Sequence, residues 1–199
     1  TAHAAGDPHH GRSALDAVEL MNVGANYLRE HIIKDASIHY VITSGGDQPN
    51  VVPAFAEVWY FVRAPRRDQV EEIYERLTDV AKGAALMTGT TFKIDFLTGC
   101  YEVLINDALA DVMWECMQKV GAPQFDDTDF EFAKKLAESF DKSMVEGLRK
   151  SAEFEDCPEL KEQILNTTLV PPRGKGKSGG GSTDVGDVSW IVPTVQMSA

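Results

Sequence analysis

Residues 37–87 read SIHYVITSGGDQPNVVPAFAEVWYFVRAPRRDQVEEIYERLTDVAKGAALM, and this stretch decides the fold. Ser37 to Thr43 sets Ile38, Tyr40 and Ile42 against His39, Val41 and Thr43, the period-two alternation of a half-buried strand. Gly45-Gly46-Asp47 is turn chemistry. Val51 to Val62 reads as a second strand, long and irregular because Pro53 has no N–H to give a ladder. Pro65 ends it. From Arg67 to Met87, Val70, Ile73, Leu77, Val80 and Ala84 recur at helical spacing, with Glu71, Glu72, Glu75 and Asp79 outside the stripe.

On the N-terminal side, Ser13 is placed to cap a helix running to about Ile33, in which Leu15, Val18, Met21 or Asn22, and Leu28 recur at helical spacing. Gly89 stops the second helix, and Thr91 to Leu97 reads as another strand. Helix, strand, strand, helix, strand is a split βαβ (ferredoxin-like) arrangement without its first strand, an α+β fold with an antiparallel sheet and two helices. Beyond about Gly99 the character changes. Helices are expected over Asp107 to Val120, Asp129 to Phe140 and Ser143 to Lys150. A Pro/Gly/Lys/Ser-rich loop follows over Leu169 to Asp187, then a short buried strand over Val188 to Val192. The expected division is therefore 1–99 and 100–199.

A chain of 199 residues, 43% apolar and 25% charged, is long enough to bury a real core. A formal charge of −12 argues against nucleic acid as a partner, because phosphate binding wants a basic face. No apolar run is long enough to cross a bilayer, so no membrane partner is expected. Cys100, Cys116 and Cys157 are odd in number and fit no zinc or redox spacing, which favours a reducing, cytoplasmic setting. The spacing Gly174-x-Gly176-x-x-Gly179 matches a dinucleotide fingerprint in letters only, since Pro171-Pro172 stands where a strand should end.

Two separated segments carry a more specific signal. The first is Thr1-Ala-His-Ala-Ala-Gly-Asp-Pro-His-His-Gly-Arg-Ser-Ala-Leu-Asp-Ala-Val; the second is Pro49-Asn-Val-Val-Pro-Ala-Phe-Ala-Glu-Val-Trp-Tyr-Phe-Val-Arg63. Together they resemble the lid (dimerisation) domain of the aminoacylase/carboxypeptidase family of dinuclear zinc peptidases. Gly-Ser-Thr-Asp-Val-Gly-Asp-Val-Ser-Trp at 181–190 extends the likeness, and the second half resembles the C-terminal part of that family's α/β catalytic domain. In the family the missing first strand lies just before the His-Ala-Ala signature, so the chain reads as a piece of a longer protein.

The resemblance implies a role for each motif residue. His3 would reach across a homodimer and donate to the oxyanion developing on the scissile carbonyl. Asn50 and Arg63 would grip the substrate carboxylate, Arg63 through its planar fork. Thirteen residues along a regular strand would put those two on opposite faces, so one shared site requires a bulge near Pro53. Gly180, Gly181 and Asp184 would lie in a Gly-rich loop at the active-site rim, whose amides suit a carboxylate. Glu71-Glu72 resembles the family's catalytic Glu pair only in letters and reads as a solvated helix face. His31 and His39 read as ordinary helix and strand residues. His9 and His10 read as a loop pair without a carboxylate at ligand spacing.

The implied reaction is metal-dependent hydrolysis of an N-acyl amino acid. The expected substrate is p-aminobenzoyl-glutamate, and the possible partners include a distinct A-type subunit. Two divalent ions (Zn or Mn) would serve the full-length protein, yet no ligand for that pair is expected among these residues. The fragment alone is therefore expected to be inactive. A non-catalytic dimerisation module is the competing reading.

Overall fold

The computed structural model describes residues 2–149, 158–172 and 181–197. They form two compact units: Thr1–Glu102 with Ser182–Asp187, and Val103–Gly181 with Val188–Ala199.

In the first unit, helix α1 (Ala14–Leu28) opens as its sequence dictates: the Ser13 hydroxyl accepts from the Asp16 amide at 3.1 Å. A 3-10 turn, Arg29–His31, finishes it. Strands β1 (Ser37–Ser44) and β2 (Glu57–Arg63) pair antiparallel, from Ser37 opposite Arg63 to Ser44 opposite Glu57, with an irregularity between Ile42 and Ser44. Helix α2 (Arg67–Thr88) ends at Gly89, whose φ of 63° is the left-handed cap conformation that glycine tolerates best.

Both helices pack on one face of the β1–β2 sheet. Ala25 and Leu28 of α1, Ile38 of β1, and Ile73 and Leu77 of α2 form the core, with Tyr60, Val62 and Val80 against it. Each of the large aliphatics there contributes about 1.5–3 kcal/mol. Close approach of α1 to α2 depends on Gly24, where a Cβ would stand 2.5 Å from Val80 Cγ1. The Arg29 guanidinium donates to the Ile38 carbonyl at 2.6 and 3.0 Å, tying the end of α1 to β1. The Tyr60 hydroxyl donates to the side-chain oxygen of buried Asn22. Burial pushes the Tyr60 phenol up, with Tyr40 adding and Arg29 opposing.

Three sequence expectations are corrected. The second strand covers only Glu57–Arg63; Val51 keeps a single bridge to His3, and Pro53 lies between them outside the ladder. Thr91–Leu97 forms no strand. In the split βαβ arrangement the last strand hydrogen-bonds the first, and the described sheet is β1–β2 alone. β propensity without a neighbouring edge does not make a ladder. Val188–Val192 is not a strand either: a short helix α6 (Val185–Ser189) is followed by a turn in which the Ile191 and Val192 amides donate to the Val188 carbonyl. The apolar side chains of this run are exposed, Ile191 to 84%, and the residue of the run that is buried is the polar Ser189.

The second unit carries helices α3 (Asp107–Val120), α4 (Asp127–Ala137) and α5 (Lys142–Arg149). Asn106 caps α3 by accepting from the Leu109 amide. Asp126 and Asp129 form a reciprocal capping box at α4. Among the described residues no helix is long and apolar enough to cross a membrane.

Candidate functional site

His3 lies in a short extended segment laid against residues 50–52. The Ala4 amide donates to the Asn50 carbonyl at 2.9 Å, and the Val52 amide donates to the Ala2 carbonyl at 3.0 Å. Beyond it the chain turns sharply. The Ala5 and Gly6 amides donate to His3 Nδ1 at 3.2 and 3.0 Å, and the Asp7 amide donates to the His3 carbonyl at 3.0 Å. An Nδ1 that accepts is unprotonated, so in the neutral ring Nε2 carries the hydrogen. The imidazole is exposed, and its Nε2–H is a donor whose orientation the backbone has fixed.

Asn50 shares this end of the hairpin, beside His3. Pro53 sits against Gly46, where a Cβ would be 2.8 Å from Pro53 Cγ. Arg63 lies at the other end, opposite Ser37, with its guanidinium 5.8 Å from the Phe61 ring. Six residue steps from Glu57 to Arg63 are about 20 Å of strand. The structure therefore brings His3 and Asn50 together and keeps Arg63 apart from both. The alternation problem does not arise, because residues 52–56 leave the ladder.

Trp59, Phe61 and Arg63 lie on the sheet face turned away from the helices, with His39 paired opposite Phe61 and Val41 opposite Trp59. The Trp59 and Phe61 rings stand 5.2 Å apart, each 46% exposed. Their period-two spacing was legible, but which face the helices cover was not. An open cleft of about 410 Å³ lies near the hairpin turn, walled by Ser13, Asp16, Asp47, Gln48 and Pro49; neither His3 nor Asn50 lines it.

Gly181 and Asp184 are exposed, the latter accepting from the Thr183 hydroxyl at 3.5 Å. Gly180, and the glycines at 174, 176 and 179, lie outside the described residues. Asp187, three residues past Asp184, accepts from the Tyr101 amide at 2.8 Å. Glu71 pairs with Arg67 at 2.8 Å and Glu72 with Arg76 at 3.8 Å, i,i+4 pairs on an exposed helix face. Cys100 and Cys116 are free thiols.

The His9–His10 expectation needs correction. Pro8–His10 is a 3-10 turn that sets the two rings 4.1 Å apart, and Asp7 supplies the missing carboxylate. Its Oδ1 is 3.6 Å from His9 Nε2 and 3.5 Å from His10 Nδ1. Among the described residues this is the one group of three or more potential metal ligands. A dinuclear centre needs more donors, with one bridging, so the described residues do not fit one.

Residues 1–87 match the peptidase dimerisation domain family. The chain belongs to the aminoacylase/carboxypeptidase family of peptidases, the α+β dimerisation domain being the part that its first half supplies. It is 41% identical over 205 residues to the B-type subunit of p-aminobenzoyl-glutamate hydrolase from Escherichia coli (strain K12), covering 98% of this chain and 42% of that protein. It is 32% identical to Xaa-Arg dipeptidase of Mus musculus over 60% of this chain and 28% of that one. Indole-3-acetyl-aspartic acid hydrolase of Enterobacter agglomerans is 29% identical over 47% of this chain and 21% of its own length. The chain thus spans less than half the length of these relatives.

Proposed function

We propose that the chain is the dimerisation lid (1–99) and part of the catalytic domain (100–199) of a metal-dependent amidohydrolase that cleaves an N-acyl amino acid. p-Aminobenzoyl-glutamate is the first substrate to test, given the named activity of the 41% identical relative. The observation that carries the reading is His3, an exposed imidazole whose Nδ1 accepts from two backbone amides, which leaves Nε2 to a ligand. Such a preorganised donor suits charge developing on a carbonyl oxygen. Arg63 suits a substrate carboxylate, with Gly180, Gly181 and Asp184 at the rim.

The separation of His3 and Asn50 from Arg63 supports a composite site. In a twofold homodimer, His3 and Asn50 of one lid serve one active site, and Arg63, some 20 Å along β2, serves the other. Leu20, Val23 and Tyr27 (38, 46 and 70% exposed) form an apolar stripe on α1, and β1 exposes Val41 and Ile42; both suit association of lids. The two divalent ions would be held by residues elsewhere in the full-length protein. Because the bacterial relative is one of the subunit types of its hydrolase, an additional, A-type subunit is a partner to look for. Free Cys100 and Cys116 suit a cytoplasmic setting.

His3→Asn in the full-length protein tests the central role. The Asn Oδ1 can replace Nδ1 as acceptor for the turn, but nothing then stands at the Nε2 position. Turnover is expected to fall about 10²–10³-fold with KM little changed. Mixing His3→Asn protomers with protomers disabled at the metal should restore one working site per heterodimer. An inactive, verified heterodimer would remove the cross-dimer role. Unchanged turnover would remove His3 from catalysis altogether.

A further inference from the structure

Asp7, His9 and His10 form a second potential site, separate from the residues assigned above. Its geometry is set by the backbone. Pro8 starts the 3-10 turn with φ already restricted, the His10 amide donates to the Asp7 carbonyl at 3.2 Å, and the Gly11 amide donates to the Pro8 carbonyl at 3.0 Å. The turn therefore brings residues i, i+2 and i+3 to one side, although neighbouring side chains usually diverge. One ligand atom from each of Asp7, His9 and His10 lies within 4.8 Å of the other two, and Asp7 Oδ1 is the atom that faces both His9 Nε2 and His10 Nδ1.

With metal–donor bonds of about 2.0–2.1 Å, the edge of a tetrahedral coordination shell is about 3.4 Å. The two Asp7–His distances, 3.6 and 3.5 Å, already approach that edge. Two imidazoles and one carboxylate favour zinc, nickel, cobalt or copper over calcium or magnesium, which prefer oxygen. All three side chains are 60–71% exposed, so the fourth position is open to water and desolvation costs little.

We propose that Asp7, His9 and His10 bind one divalent transition-metal ion through Oδ1, Nε2 and Nδ1, leaving a water-accessible fourth position. The site is mononuclear and distinct from the catalytic metal pair. Its open shell makes it weaker than closed four-ligand structural sites. Because the Asp7 amide also donates to the His3 carbonyl, the ion would brace the turn that holds His3.

The test is a Zn²⁺ titration of ¹⁵N-histidine-labelled chain with its thiols alkylated, followed by imidazole nitrogen spectra at neutral pH. Metal on Nε2 forces the hydrogen of His9 onto Nδ1, and metal on Nδ1 forces that of His10 onto Nε2. Two opposite tautomers appearing together at one equivalent are the expected result, with His31 and His39 unmoved. Calorimetry with Ni²⁺ should give one site, weakened about 10-fold or more in His9→Ala, His10→Ala and Asp7→Asn. Circular dichroism of these exposed-turn variants should match the parent chain. Shifts spread over all five imidazoles, or an affinity unchanged in the variants, would overturn the site.

Discussion

Replacing Tyr60 with Phe tests the junction on which the lid is built. The Tyr60 hydroxyl donates to Asn22, whose side chain is 6% exposed on α1, and so links β2 to α1. Removing one oxygen from a half-buried ring opens little volume, so the cost is that of the hydrogen bond. A typical bond is worth about 0.5–1.5 kcal/mol net, but a buried acceptor left unmatched costs about 1–3 kcal/mol. Urea denaturation should therefore show a loss of about 1–3 kcal/mol at neutral pH. Tyr40→Phe, at a ring 37% exposed, should change stability by less than about 0.5 kcal/mol. Tyr60→Phe combined with Asn22→Leu should recover part of the loss, because removing both polar partners ends the mismatch. The phenol gives a second readout. Its folded value is raised above the ordinary 10.0, so its protonated form is favoured on folding. That contribution is fully present below about pH 10 and is lost as pH rises through the folded value. Wild type should thus lose stability above about pH 10 more steeply than Tyr60→Phe. A Tyr60→Phe change under about 0.5 kcal/mol, or a double variant as unstable as the summed singles, would refute the reasoning.

Gly24→Ala should cost about 1–3 kcal/mol in the same assay, because the added Cβ would meet Val80 Cγ1 at 2.5 Å and force α1 from α2. Sedimentation at tens-of-micromolar concentration should show a dimer, and Tyr27→Glu on the exposed α1 stripe should shift it toward monomer; a strict wild-type monomer would refute lid-mediated association. Dialysed chain should retain no tightly bound metal pair and hydrolyse no p-aminobenzoyl-glutamate, as checked by elemental analysis and release of the free acid. In the full-length protein, Arg63→Ala should raise KM for a carboxylate-bearing substrate more than it lowers kcat.

Periodicity and punctuation determined the local elements. The Ser13 cap, the stripe from Val70 to Ala84 and the stop at Gly89 fix α1 and α2, since each signal acts within a turn or two of chain. The alternation from Ile38 to Ile42 likewise located β1, and the motifs around His3 and Arg63 pointed to the family. Other features depended on partners distant in sequence. Thr91–Leu97 has strand-like composition, yet a ladder also needs a neighbouring edge. Val188–Val192 is apolar, yet its amides close onto Val188 and leave Ile191 in solvent. The family resemblance grouped Asn50 with Arg63, whereas the His3–Val51 bridge puts Asn50 beside His3 and the hairpin register puts Arg63 at the far end of β2. Asp7 joined His9 and His10 only through the Pro8 turn. Short-range torsional and capping preferences are written residue by residue, so the sequence alone carries them. Which side chains meet depends on how strands and turns close in space, and that was decided only by the tertiary structure.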